Sequence, residues 1–300
     1  MSHVATPHAS PLRDRTAVVT GAARGVGAAL ARELSGRGMR VALLGREAKT
    51  LNEVAAELPA ASFCCEVDVT DNAALAEAAA ATLRELGPAS VVVANAGIAA
   101  GGPLATSDPD LWRRVVDVNI VGSANTARTF VPQLRATGGY FLQVASTASF
   151  GSAPMMSAYC ASKAGAEAFA QSLRGELAPE RVGVGIAYLH WTDTDMVRDM
   201  DNQPVLAALR EHQPWFARRV HSAPEVAGRL ARGIERRRAS IYAPGWLRAV
   251  QPLRPVLPVV VGRVSARHLS GTADRQLEET GVLGEGGQAD EEALRKSRNT

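Results

Sequence analysis

Tyr159 and Lys163 stand four residues apart in an alanine-rich run, 158–178, whose apolar positions Ala166, Phe169, Leu173 and Leu177 recur at helical spacing. Residues four apart lie one above the other on a helix, so the phenol and the ammonium point into the same space. A phenol ordinarily titrates near pH ~10. A neighbouring ammonium favours the phenolate, lowers that pKa and makes the tyrosine a general acid or base. The same spacing also suits a packed ring beside a solvated amine, so the pair gains meaning only from its surroundings.

A second chemistry-bearing stretch is Gly21-x-x-x-Gly25-x-Gly27, with Arg24 and Val26 inside it. It follows an apolar run, Thr16–Thr20, and precedes a helical stretch, 28–37. Glycines there let the backbone approach a pyrophosphate, and the helix N-terminus meets its negative charge. The next apolar run, 40–44, completes a strand–turn–helix–strand unit.

The elements that must position these groups follow the same alternation. A third strand is expected over 61–69, carrying Asp68 and Val69; a helix over 71–86; and a strand running into Asn95, Ala96 and Gly97. A single long helix is expected over 110–135, containing Asn119, and then strands over 140–146, 182–189 and 240–243, the first ending at Ser146. Nearly all-apolar strands alternating with helices imply an α/β, Rossmann-like, doubly wound and mostly parallel seven-stranded sheet with helices on both faces. In such sheets the ligand crevice lies beyond the carboxyl ends of the strands, where Gly21, Asn95, Ser146 and the segment after Leu189 all fall.

The 300 residues, 46% hydrophobic, suffice for one large domain, read here as 13–264 between a flexible N-terminus, 1–12, and a polar tail, 265–300, expected to be disordered. A net charge of +3 without interleaved basic and aromatic residues argues against a nucleic-acid partner. Cys64, Cys65 and Cys160 form neither a disulfide framework nor a metal-ligand spacing, so a reducing cytoplasmic location and no metal are expected. The N-terminus has no apolar signal region, and no run reaches a membrane span. The proline-rich stretch 244–263 reads as a rigid extended arm or subunit contact; its flanking Arg248, Arg254 and Arg263 leave a membrane-surface contact as the alternative.

Taken in order, Thr20-Gly-x-x-x-Gly-x-Gly27, Asn95-Ala-Gly97, Asn119, Ser146 and Tyr159-x-x-x-Lys163 resemble the short-chain dehydrogenase/reductase family over residues 13–196, with the fold expected to extend to Ala243. The resemblance implies an oxidoreductase that moves hydride between a nicotinamide and a carbonyl or secondary alcohol. It implies that Tyr159 exchanges the proton, Ser146 bonds the same substrate oxygen, Lys163 also holds the nicotinamide ribose, and Asn119 holds a water leading to solvent. It further places Asp68 and Val69 beside the adenine, Asn95, Ala96 and Gly97 beside its ribose, and Thr194 on the carboxamide. A homodimer or homotetramer is implied as well.

Charge then bears on the cofactor. An acid at the end of the second strand would select NAD. Here Leu44 is followed by Gly45 and Arg46, and two guanidiniums, Arg24 and Arg46, suit a 2′-phosphate, so NADP(H) is favoured over NAD(H). The sequence departs from the family where Leu189-His190 replaces the usual Pro-Gly turn; His190 is either a ligand contact or a locally satisfied turn residue. The apolar residues Met196, Val197, Met200, Val205, Leu206, Leu209, Trp215 and Phe216 read as a lid over a hydrophobic ketone or aldehyde. An NAD-dependent alcohol dehydrogenase and a non-catalytic NADP-binding sensor are the rival readings.

Overall fold

The computed structural model describes residues 10–151, 153–211, 213–259, 261–263 and 279–288. The first half alternates β1 (Thr16–Thr20), α1 (Gly25–Gly36), β2 (Arg40–Gly45), α2 (Ala48–Ala56), β3 (Ser62–Glu66), α3 (Asn72–Leu86) and β4 (Ala89–Ala94). A short strand, β5 (Ala99–Ala100), precedes α4 (Pro109–Val116), a π-helical turn (Asp117–Val121) and α5 (Gly122–Thr137). Next come β6 (Tyr140–Ser146), α6 (Ser157–Leu177), β7 (Gly183–Leu189), α7 (Asp195–Asp201) and α8 (Pro204–Glu211). The chain continues through α9 (Ala223–Glu235), β8 (Ser240–Ala243) and α10 (Leu247–Val250) to β9 (Val282–Leu283).

Seven strands form one parallel sheet in the order β3-β2-β1-β4-β6-β7-β8, as the all-apolar strands predict. Alternate residues feed the two faces. Val18, Ala42 and Val92 pack with α3, α5 and α6, whereas Val19, Leu43 and Val93 pack with α1 and α9. The order reverses at β1, which lies between β2 and β4, and this reversal opens a crevice at the strands' carboxyl ends. Register aligns that rim: Thr20 pairs with Leu44, and Ser146 with Leu189.

Several boundaries differ from the expected ones, each for a local reason. The third strand stops at Glu66 because the Asp68 carboxylate accepts from the Thr70 backbone N–H at 2.9 Å and turns the chain. The expected single helix over 110–135 is interrupted by the π turn that contains Asn119. The proline-rich stretch is not extended: α10 and further helical turns fold it back, burying Leu247 and placing Arg254 on Glu167 Oε1 at 2.6 Å and Ser149 O at 2.8 Å.

The largest difference concerns the tail. Within the stretch expected to be disordered, residues 279–288 fold onto the domain, and β9 pairs antiparallel with β5. Val282 and Leu283 supply the apolar contacts that the tail's composition seemed to lack; both are buried. The rest of 265–300, and the N-terminal nine residues, lie outside the described residues. No helix among the described residues is long and apolar enough to cross a membrane.

The sheet core carries the stability. Phe141 on β6 is fully buried, so Phe141→Ala should cost ~3–5 kcal/mol in urea unfolding. Trp215, 79% exposed, should lose under ~0.5 kcal/mol on the same substitution. Equal losses would contradict this assignment of the core.

Candidate active site

The glycine turn follows β1 and leads straight into α1. Helices α3, α4 and α9 begin with side-chain caps from Asp71, Asp108 and Ser222. Helix α1 has none and no acid in its first turn, so its backbone N–H groups are left to a ligand at the rim. A Cβ at Gly27 would collide with the Gly21 carbonyl, and one at Gly21 would lie 2.8 Å from Ala96 Cα. The turn therefore packs edge to edge on the loop after β4. Asn95 Nδ2 holds it there, donating to Thr20 O at 3.0 Å and Gly21 O at 3.1 Å. The Thr20 hydroxyl returns the tie, accepting from the N–H groups of Asn95 and Ala96 at 3.0 and 3.1 Å.

The loop after β4 meets the π turn through Gly97. A Cβ there would stand 2.9 Å from Asn119 Oδ1 and 3.2 Å from Lys163 Nζ, so only glycine allows both to approach. The π turn aims Asn119 inward, where it accepts from Ile98 N at 2.9 Å and donates to Ile98 O at 3.0 Å and Ser162 Oγ at 2.8 Å. This amide clamps the β4 loop to α6, the helix that carries Tyr159 and Lys163. Held by these three hydrogen bonds, the Asn119 side chain is nearly fully buried.

Tyr159, Lys163 and Ser146 line one groove with the glycine turn, Arg46, Asp68, Val69, Asn95, Ala96, Gly97 and Thr194. Lys163 Nζ lies 5.7 Å from the Tyr159 ring centroid and donates to Val144 O at 3.4 Å. The expected fall in the tyrosine's pKa is not found. Burial pushes Tyr159 up to about 12, and a hydrogen bond with Ser146 only partly opposes it. Burial likewise pulls Lys163 down to about 8. Desolvation is the largest influence on both groups. At neutral pH the tyrosine thus keeps its proton and the lysine stays mostly charged.

At the other end of the groove the arginines have partners. Arg24 pairs with Glu47 and Glu285, and stands 3.5 Å from Asp195. Arg46 lies 3.6 Å from Asp68, which Arg114 also contacts at 2.6 Å. Burial works against the Asp68 carboxylate, but hydrogen bonds from Thr70 and the Arg114 guanidinium hold its pKa below the usual range. Burial also lowers Arg46, against the attraction of Asp68. Glycine cradle, uncapped helix and guanidiniums together fit a dinucleotide. Among the described residues, no group of three His, Cys, Asp or Glu is placed to hold a metal ion.

His190 borders the groove and is held by two other loops. Its ring nitrogens meet Thr147 Oγ1 at 3.0 Å and Ala217 O at 2.7 Å, and burial lowers its pKa to about 4. It ties the loop after β6 to the loop before α9 as a neutral ring. Gly25 packs against Thr194, whose Cγ2 would lie 3.1 Å from an added Cβ. The expected lid divides: Met196, Met200 and Leu206 join an apolar cluster that includes Tyr159, Met155, Met156 and Leu283, while Trp215 faces solvent. The side chains of Val205 and Leu209 lie outside the described residues.

Sequence reasoning noted Glu47 only as a neighbour of Arg46 and missed Asp195 and the segment 283–287, all of which border the groove or hold Arg24. The run Gly284-Glu-Gly-Gly287 was the available signal, since repeated glycines permit close backbone approach as well as disorder.

Comparison with known proteins agrees with this geometry. The family model described as short chain dehydrogenase matches residues 15–204. An uncharacterized oxidoreductase of Staphylococcus saprophyticus is 32% identical over 63% of this chain and 83% of its own length. A glycine betaine reductase of Emericella nidulans is 36% identical over 62% of this chain, but the match spans only 15% of that protein. A crystal structure of a short chain dehydrogenase/reductase from Burkholderia phymatum in complex with NAD has a TM-score of 0.69 at 26% identity. That alignment covers 80% of this chain and 92% of the other. The chain belongs to the short-chain dehydrogenase family and is a nicotinamide-dinucleotide-dependent oxidoreductase.

Proposed function

We propose that the chain is an NADP(H)-dependent reductase of apolar ketones or aldehydes. The observation that carries this reading is the placement of Tyr159 in one groove with Ser146 and Lys163, against a methionine-rich apolar wall. Four of the six methionines, Met155, Met156, Met196 and Met200, belong to the cluster around Tyr159. Methionine is flexible and polarisable, so this wall suits a bulky apolar group of variable shape.

When bound, the dinucleotide supplies the hydride. The chain's own part is to hold the carbonyl and deliver a proton. The Ser146 hydroxyl donates to the carbonyl oxygen and fixes it beside the Tyr159 hydroxyl, which gives up its proton as negative charge develops. Burial keeps the phenol protonated, and the Lys163 ammonium and the Ser146 hydroxyl must ease the release of that proton. Lys163, still mostly charged, stabilises the phenolate left behind and holds the ribose hydroxyls. Asn119 fixes the loop and helix that set these distances and, in this reading, orders the water that returns the proton.

Arg24 and Arg46 would receive the 2′-phosphate, and Asp68, Val69, Asn95 and Ala96 would border the adenosine. The apolar lid and the absence of a nucleic-acid-like charge pattern support a small-molecule substrate, and a cytoplasmic homo-oligomer is the matching cellular reading. Glu47 beside Arg24 favours the rival NAD reading, because a carboxylate there can take ribose hydroxyls.

Two measurements test the proposal. Fluorescence titration should give tighter binding for NADPH than for NADH, and Arg46→Asp should weaken NADPH by roughly tenfold or more, the loss of one charge-assisted contact. An unchanged NADPH affinity in that variant would remove the arginine argument. Tyr159→Phe should lower carbonyl reduction by ~10²–10⁴-fold while leaving dinucleotide affinity within about twofold. Full biological effect in the variant would instead favour the sensor reading.

A further inference from the structure

Residues 279–288 are anchored across both halves of the site by contacts that do not involve the Glu285 side chain. Thr280 N donates to Gly101 O at 2.8 Å, and Gly101 N donates to Thr280 Oγ1 at 2.9 Å. Glu279 Oε1 accepts from Asp108 N at 3.0 Å, and Gly284 N donates to Asp199 Oδ2 at 2.9 Å. Leu283 enters the apolar cluster beside Tyr159. Gly284 packs so closely on α7 that an added Cβ would lie 2.8 Å from Met196 N. The following turn, closed by Gly287 N to Gly284 O at 2.9 Å, presents Glu285 to Arg24.

Charge gives this placement a consequence. The charged residues lining the groove are Arg24, Arg46, Lys163, Glu47, Asp68 and Asp195, three of each sign. Glu285 contacts Arg24 from outside that set, as Arg114 contacts Asp68. A 2′-phosphate adds about −1.5 to −2 charge at neutral pH and is well matched by a guanidinium.

We propose that Glu285, delivered by this C-terminal clasp, is a cofactor-specificity residue: its carboxylate occupies Arg24 and competes there with a 2′-phosphate. This rests on the reading of Arg24 as a phosphate contact. Glu285 therefore lowers the affinity for NADPH relative to NADH without touching the reacting atoms. Its side chain is 68% exposed, so the competing ion pair is a weak one. Exposed pairs contribute ~0.2–1 kcal/mol, a factor of about 1.4 to 5 in affinity.

The test is fluorescence titration of NADPH and NADH on the full-length protein, comparing wild type, Glu285→Gln, Glu285→Lys and Arg24→Ala, each checked by thermal unfolding. Glu285→Gln should tighten NADPH about two- to fivefold and leave NADH within about 1.5-fold; Glu285→Lys should tighten NADPH further. Equal shifts for both dinucleotides, or no shift in either, would overturn the proposal. Arg24→Ala separates the two ideas. If it weakens NADPH selectively while Glu285→Gln leaves the ratio unchanged, Glu285 fails and the phosphate reading stands. If it leaves NADPH affinity unchanged, the phosphate reading fails and the clasp proposal with it.

Discussion

The site depends on the hydrogen-bonded seam between the ends of β1 and β4. Those strands are the neighbours on either side of the point where the sheet order reverses, and their carboxyl ends would otherwise be free to part. Asn95 and Thr20 exchange donors and acceptors across that gap, using both a side-chain amide and a hydroxyl. The amide also holds the first glycine of the turn, so the start of α1 is fixed relative to the loop that ends at Gly97. From there the geometry passes to Asn119, Ser162 and the helix bearing Tyr159 and Lys163. Each link is a short contact that a larger side chain would break.

Burial then sets the chemistry. Tyr159 and Lys163 are both taken out of water, and each is driven toward its neutral form. For the tyrosine that means a retained proton, the starting state of the proposed reduction. For the lysine it means a charge that is costly to keep but is retained at neutral pH. Under the proposed function this arrangement is an acid held beside Ser146 rather than a standing phenolate.

Much of this was legible in the sequence because it is local. The glycine spacing, the apolar strands and the four-residue interval from Tyr159 to Lys163 all report on backbone geometry within a few residues, and the structure brings the named residues to one groove. The π turn at Asn119 was not legible, since it is selected by the fit of Gly97, Ile98 and Ser162 rather than by any helix-breaking residue. The partners of Arg24 come from positions 47, 195 and 285, and no local pattern joins them. The C-terminal clasp was misread as disorder because its two buried apolar residues are diluted by glycines and charges. The partners of His190 come from two other loops, Thr147 and Ala217, which no local pattern could indicate, although the residue does border the groove.

The most direct test of the account is isotope transfer. The protein is incubated with NADPH carrying deuterium at the transferable position of the nicotinamide and with a panel of bulky apolar ketones and aldehydes, and the products are analysed by mass spectrometry. The account predicts an alcohol carrying one deuterium on the former carbonyl carbon. Tight binding of the dinucleotide with no labelled alcohol from any carbonyl compound would contradict it.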